Sequence, residues 1–119
     1  MQDSLEIEQL RGDLPGQGVL CLHGPLTAEN LMPFQHAIRR VSSDTVVLDF
    51  SEVPYVDSAG LGSLVSAYIS RHKSGQRMAL SGVCPRVMKL LEITRTDALF
   101  LIFETVEEAM DTLNSAASA

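Results

Sequence analysis

One short segment of the chain, residues 53–62, contains residue types that could do chemistry at the start of a helix. It reads Val-Pro-Tyr-Val-Asp-Ser-Ala-Gly-Leu-Gly, so the hydroxyl of Ser58 directly follows the carboxylate of Asp57. Either side chain can cap a helix, because its oxygen accepts a hydrogen bond from a free amide in the first turn. Gly60 and Gly62 let another molecule approach the backbone, although glycine costs about 1 kcal/mol relative to alanine inside a helix. The pattern fits a capped helix that packs closely on its neighbours, or a contact site.

Two catalytic interpretations of this segment do not match its pattern. A phosphate-binding P-loop needs a lysine and a different glycine spacing. A nucleophile elbow needs Gly-x-Ser-x-Gly, and the segment has Asp57-Ser58-Ala59-Gly60 instead. A hydrolase also needs a base, and none of the histidines stands in a recognisable motif: His23, His36 and His72. We therefore expect neither an enzyme nor a metal site, and binding of a small molecule at the glycine-rich turn stays as an alternative.

The bulk composition limits the classes of protein to which the chain can belong. Its 119 residues suit one domain, and 45% hydrophobic residues suffice for an ordinary core. The net charge of -6 disfavours nucleic acid as a partner, because phosphate backbones repel an acidic surface. The N-terminus lacks the features of a signal peptide, and no apolar run approaches the roughly 20 residues of a membrane span. We expect a cytoplasmic protein without membrane insertion.

The hydrophobic periodicity predicts an α/β fold, with a mixed, mostly parallel sheet of about five strands and about four helices. The nearly continuous apolar run at 45–50 is typical of a strand that is covered on both faces. The first two strands are close enough to form a hairpin, with a turn at 13–18. The small residues at 115–119 have nothing to bury and should fray. Strands are predicted at 4–10, 19–22, 45–50, 78–80 and 99–103, and helices from residues 27, 58, 85 and 106.

Two neighbouring segments carry a more specific pattern. They are Val46-Val47-Leu48-Asp49-Phe50-Ser51-Glu52-Val53 and Val56-Asp57-Ser58-Ala59-Gly60-Leu61-Gly62-Ser63-Leu64. Together they resemble the signature of STAS domains and, more narrowly, of the bacterial anti-sigma factor antagonists. The resemblance continues through the Gly24 turn, the Leu80 strand and the start of the last helix at 105–109. It implies a single STAS domain over residues 1–119, with the fold predicted above.

The resemblance also implies a function in bacterial signalling through protein–protein interaction. In that family the serine after the aspartate, here Ser58, is phosphorylated by an anti-sigma factor that is also a serine kinase. The unphosphorylated antagonist binds this kinase and frees the sigma factor, phosphorylation abolishes the binding, and a serine phosphatase restores it. ATP belongs to the kinase, so no cofactor is expected here. The implied partner-binding residues are Asp57, Ser58, Ala59, Gly60, Leu61, Gly62 and Thr27.

Two positions depart from the family pattern. Ala59 stands where many relatives have a second hydroxyl residue, which leaves Ser58 as the unambiguous acceptor. Thr27 stands where many relatives have an acidic residue, and it also fits a plain helix cap. A second function therefore stays open, that of a STAS adaptor subunit in a stress-signalling scaffold or a lipid ABC transporter, without phosphorylation switching. The edge strand at 4–10 permits a monomer or a weak homodimer.

Overall fold

Strands and helices alternate along the part of the chain that the computed structural model describes, residues 4–11 and 16–118. The strands are β1 Glu6–Arg11, β2 Gln17–His23, β3 Thr45–Glu52, β4 Arg77–Ser81 and β5 Leu101–Phe103. The helices are α1 Leu31–Arg40, α2 Ser58–Lys73, α3 Pro85–Ile93 and α4 Val106–Ser118. The predicted order of elements is confirmed. Within the described ranges, no helix combines the length and apolar character that a membrane crossing needs.

The strands lie in the sheet in the same order as in the sequence, β1-β2-β3-β4-β5. β1 and β2 form the predicted antiparallel hairpin, and the other neighbouring pairs are parallel. Each parallel pair needs a crossover, which α1, α2 and α3 supply in turn. These crossovers step in one direction along the sheet, and parallel crossovers are right-handed as a rule. The three helices accordingly pack in one hydrophobic cluster on one face, and α4 packs in a second cluster on the other. The mixed, mostly parallel sheet is confirmed, whereas residues 13–15 of the predicted turn lie outside the described residues.

Side chains of the central strand β3 alternate between two hydrophobic clusters. Val46, Leu48 and Phe50 pack in the larger cluster, beneath the helices that follow β2, β3 and β4. Val47 points to the opposite face and packs in the cluster that α4 completes. All four side chains are fully buried, which explains why the sequence of this strand is nearly continuous in apolar residues. The α4 side chains in the smaller cluster are Ala109, Met110 and Leu113.

The first helix starts later than the sequence analysis predicts. Thr27 is followed by a single 3-10 turn, Ala28–Asn30, and α1 begins at Leu31. Pro33 explains the difference, because it has no amide hydrogen to donate to the carbonyl of Glu29 in a helix that begins at Thr27. With α1 starting at Leu31, the proline falls in the first turn, where amides have no partner within the helix.

The last strand and the last helix also differ in detail from the prediction. β5 begins at Leu101 rather than Leu99, because a second 3-10 turn, Thr96–Ala98, binds the Leu99 amide. α4 starts where the sequence predicts, and the hydroxyl of Thr105 caps it by accepting a hydrogen bond from the Glu108 amide at 3.0 Å. The helix includes 115–118, and fraying of this end stays a prediction.

A buried arginine joins the ends of α1 and α2 to the sheet. The Arg71 side chain is 5% exposed. Its guanidinium donates hydrogen bonds to the carbonyls of Ser43 at 2.8 Å and Arg77 at 3.1 Å, with a longer contact to Val41 at 3.5 Å. Burial lowers the pKa of Arg71, and the Asp44 carboxylate opposes this shift. One side chain therefore satisfies carbonyls of the α1–β3 connection and of the first residue of β4, which fixes these two segments beside each other.

Replacing this arginine should destabilise the fold strongly. We expect Arg71→Met to lower the free energy of unfolding by about 3 kcal/mol, because it leaves buried carbonyls without donors while keeping most of the volume. The matched change Lys73→Met, at an exposed position two residues away, should change it by less than about 0.5 kcal/mol. Urea denaturation of both variants measures the difference, and equal midpoints would contradict this role for Arg71.

Candidate functional site

Ser58 lies at the carboxyl end of the central strand, where the chain leaves the sheet to begin α2. β3 ends at Glu52, residues 53–57 cross the end of the sheet, and Ser58 is the first residue of the helix. In open α/β sheets, ligands and partners meet such strand ends. The Ser58 side chain is exposed, and its hydroxyl has no hydrogen-bond partner among the described residues. The hydroxyl is therefore accessible to another molecule.

Asp57 is the residue that caps α2. Its oxygen Oδ1 accepts a hydrogen bond from the Gly60 amide at 2.8 Å, and Oδ2 accepts one from the Ala28 amide at 3.0 Å. The bond from Gly60, followed by the bond from Ala28, lowers the pKa of Asp57. Of the two capping residues that the sequence allows, the structure uses Asp57 and leaves Ser58 free.

Backbone hydrogen bonds hold the connections that lead into α1 and α2 against each other. Leu26, which follows β2, forms an isolated parallel bridge with Val56. Its amide donates to the carbonyl of Tyr55, and its carbonyl accepts from the amide of Asp57, both at 3.2 Å. The carboxylate of Asp57 adds the bond to Ala28. Ser58 is therefore presented by two braced segments of chain rather than by a free loop.

The two glycines of the first helical turns have different surroundings. A Cβ atom on Gly60 would overlap the carbonyl oxygen of Leu26, so only glycine lets the start of α2 lie this close to the neighbouring connection. Among the described residues, a Cβ atom on Gly62 would meet nothing within 4 Å apart from the backbone of its own helix. Gly60 is therefore explained by packing inside the domain, whereas no contact within the described part of the chain explains Gly62.

The other residues expected at the site fall into two groups. Gly60 and Leu61 are buried and support the helix from beneath, whereas Gly62 is exposed like Ser58. Ala59 and Thr27 are partly exposed. The interpretation of Thr27 as a side-chain cap is wrong, because its hydroxyl makes no capping hydrogen bond. The amide of the next residue, Ala28, is capped instead by Asp57, which is distant in sequence.

Sequence reasoning missed two side chains that the fold brings to residues 53–57. The Arg86 guanidinium, in the first turn of α3, lies 4.9 Å from the centre of the Tyr55 ring. The thiol of Cys84, the residue that precedes α3, contacts the carbonyl of Val53 at 3.5 Å. Arg86 and Cys84 lie about 30 residues from their contacts, so no local pattern could reveal them. Arg86 also places a cation beside residues 42–62, which contain no Lys, Arg or His.

The start of α2 offers an environment that suits a negatively charged group. Amides at a helix start, together with the helix dipole, favour a negative group such as phosphate. The nearby acid, Asp57, already accepts two amide hydrogen bonds. Of the histidines, His23 contacts the carboxylates of Glu52 at 3.2 Å and Glu8 at 3.7 Å. In the described ranges, no group of three His, Cys, Asp or Glu side chains could hold a metal ion.

Comparison with known proteins relates this arrangement to one family. A model of the STAS domain matches residues 5–109. The anti-sigma F factor antagonist of Paenibacillus polymyxa is 28% identical over 117 residues, which cover 95% of this chain and 97% of that protein.

Solved structures share the fold over nearly the whole chain. An anti-sigma factor antagonist from Mycobacterium paratuberculosis has a TM-score of 0.78 at 23% identity, covering 92% of this chain and 95% of that one. The antagonist SpoIIAA of Bacillus has TM-scores of 0.72 in its unphosphorylated form and 0.65 in its phosphorylated form, at 20% and 19% identity. These alignments cover 93% and 92% of this chain, and 96% and 98% of SpoIIAA.

Because Gly60 and Gly62 have different surroundings, replacing each with alanine should change the free energy of unfolding in opposite directions. Gly60→Ala should lower the free energy of unfolding by about 2 kcal/mol or more, because the methyl group forces the Leu26 backbone away from α2. Gly62→Ala should raise it by about 0.5–1 kcal/mol, because alanine is the better helix former and the space around it is open. Urea denaturation tests both, and each variant controls for the other. A destabilising Gly62→Ala would contradict the open surroundings of this residue.

The cap should make part of the stability depend on pH. Because the pKa of Asp57 is lowered in the folded protein, its contribution is present above the ordinary carboxyl pKa of about 3.9 and is lost as pH falls through the folded value. Asp57→Asn has one acceptor oxygen instead of two and does not titrate, so it should be less stable by about 1 kcal/mol near neutral pH. Thermal unfolding across pH should show this gap closing in acid. A gap that is independent of pH would rule out the charged cap.

Proposed function

Because this chain belongs to the STAS domain family, we propose that it is an anti-sigma factor antagonist controlled at Ser58. In its unphosphorylated form it binds an anti-sigma factor that is also a serine kinase, and this binding frees the sigma factor. Phosphorylation of Ser58 by that kinase abolishes the binding, and a serine phosphatase restores it. The chain acts in the cytoplasm by binding, and the ATP for the reaction belongs to the kinase.

The exposed, unpaired hydroxyl of Ser58 is the observation that supports this proposal most strongly. A kinase can reach this oxygen without unfolding the helix. Asp57, and not Ser58, holds the first turn, so a phosphate on Ser58 breaks no hydrogen bond of the cap. The positive end of the helix dipole also favours added negative charge. We therefore expect the fold to survive phosphorylation.

Phosphorylation of Ser58 should, however, abolish binding to the kinase. Phosphate adds about -1.5 to -2 charges at neutral pH. It enters a segment that is already acidic, with Asp49, Glu52 and Asp57 close in sequence. Repulsion and desolvation in a tight interface can cost several kcal/mol, and every ~1.4 kcal/mol changes the affinity tenfold. The switch is thus electrostatic, and it needs no change in the conformation of the domain.

The position of Gly62 supports the proposal that the face of α2 that contains Ser58 contacts the partner. It follows Ser58 by one helical turn, so the two lie on one face of α2, and both are exposed. A glycine here weakens the helix without relieving any contact inside the domain. Close approach of a partner's backbone accounts for that cost. In this proposal Ala59 and Thr27 flank the contact, while Gly60 and Leu61 hold the helix start in place.

Mass spectrometry and a binding assay together test the proposal. We expect intact and peptide mass spectra of the chain from its own host to show a phosphate on Ser58 that is absent from Ser58→Ala. Ser58→Ala should keep its affinity for the host's anti-sigma factor kinase, whereas Ser58→Asp should lose at least about tenfold. Both variants should unfold at nearly the temperature of the wild type.

Two outcomes would contradict this function. One is a Ser58→Asp variant that binds the kinase as tightly as the wild type. The other is a chain that stays unmodified under several growth conditions and is found in a stable complex with scaffold or transporter subunits. The second result would favour the role of a STAS adaptor without phosphorylation switching.

A further inference from the structure

The charges of the domain are separated in an unusual way. α1 and α2 contain none of the fifteen acidic residues of the chain. The same two helices hold four of its nine Lys and Arg residues, which are Arg39, Arg40, Arg71 and Lys73. A chain with a net charge of -6 therefore presents one cationic pair of helices. The rest of the surface is more acidic than the overall charge suggests.

A groove runs between these two helices. It consists of two neighbouring cavities of about 200 and 240 Å³ that share Ile38, Arg39, Ala67 and Ser70 in their walls. The smaller cavity, of about 200 Å³, extends towards the start of α2, where Ser63 and Ser66 line it. The floor thus combines apolar side chains with hydroxyl groups, and Arg39 stands beside both cavities.

The exposed cations around the groove are free to bind an acidic group. In the part of the chain that the structure describes, Arg39, Arg40 and Lys73 are exposed, and none forms an ion pair with a carboxylate. Arg71, by contrast, is buried and its donors are occupied by backbone carbonyls. Arg71 therefore fixes the end of the groove, while the exposed cations remain available.

Favourable interaction with the helix dipole explains only part of this pattern. Basic residues near the C-terminal ends of α1 and α2 stabilise those helices. The dipole equally favours acidic residues at the helix starts, yet the first turns of α1 and α2 contain none, and the only acidic residue there is the cap of α2, Asp57. It also does not explain exposed apolar side chains, and Ile69 on α2 is 46% exposed. Ile69 and Lys73 line neither cavity, but they share one face of α2 with Ser66, which does. Apolar surface and positive charge therefore lie side by side along the rim of the groove.

We propose that the groove between α1 and α2 is a docking surface for an acidic, amphipathic segment of a partner protein. Carboxylates of the segment pair with Arg39 and Lys73, and its apolar side chains contact Ile38, Ala67 and Ile69. Charge complementarity selects this occupant, since an acidic segment is attracted here and repelled by the rest of the surface. The inference goes beyond the proposed function, because it holds whether or not Ser58 is phosphorylated.

The groove and Ser58 lie on the same helix but are separate sites. Ser63, where the groove begins, follows Ser58 by five residues, and Ser70 follows it by twelve, which is about 7.5 Å and about 18 Å along a helix with a rise of 1.5 Å per residue. A partner can therefore reach the groove without covering Ser58. A larger partner can cover both, in which case the groove adds affinity that phosphorylation does not remove directly.

Nuclear magnetic resonance titration of the full-length chain tests this surface. The probe is a synthetic peptide of about 12 residues, made of glutamate with leucine at every third or fourth position. We expect amide shifts to concentrate at 35–40 and 63–76, and to weaken as salt is raised. Arg39→Glu and Lys73→Glu should each weaken the binding about tenfold. Lys89→Glu, the same charge change at an exposed position on α3, should leave it unchanged.

Several results would overturn the inference. Absence of binding, or shifts outside the groove, would show that the groove does not take acidic segments. Equal losses for Lys73→Glu and Lys89→Glu would show attraction by net charge alone. Inorganic phosphate that produces the same shifts with the same affinity would show a site for small anions rather than for a protein segment. A version of the peptide with lysine in place of glutamate should not bind, and the result does not depend on Ser58.

Discussion

The close approach of Gly60 to the carbonyl of Leu26 determines how the domain presents Ser58. A side chain at position 60 would overlap that carbonyl, so the start of α2 can lie against the β2–α1 connection only with glycine there. Asp57 then binds both segments, with one oxygen on the Gly60 amide and the other on the Ala28 amide. These contacts remove the freedom that a loop at the end of a strand would otherwise have.

A braced helix start suits a switch that works by charge. Asp57 accepts the hydrogen bonds of the cap, so the start of the helix does not depend on the hydroxyl of Ser58. A modification at Ser58 can therefore change the surface charge while the backbone stays in place. Such a switch acts on the partner's affinity directly, and the domain does not have to adopt a second conformation.

α2 connects two surfaces of opposite electrostatic character. Its N-terminal end follows the acidic stretch that contains Asp49, Glu52 and Asp57, whereas its C-terminal half lies beside the cations of the α1–α2 groove. At the C-terminal end of α2, buried Arg71 holds the α1–β3 connection against the start of β4 through hydrogen bonds to their carbonyls. The close packing of Gly60 holds the N-terminal end in place in a comparable way. The helix thus holds the exposed Ser58 hydroxyl and a cationic surface at a fixed separation.

The sequence by itself determined the architecture and the place of Ser58 at the start of a helix. The alternating apolar runs and the capping patterns are local signals, so they predicted the order of elements, the hairpin and the helix start at Ser58. The sequence alone could not predict contacts between residues that are distant along the chain. No local pattern shows that Asp57 caps Ala28, that Arg86 stacks on Tyr55, or that Gly60 and Gly62 differ. Tertiary structure decided these points, because each depends on which segments the sheet and its crossovers place side by side.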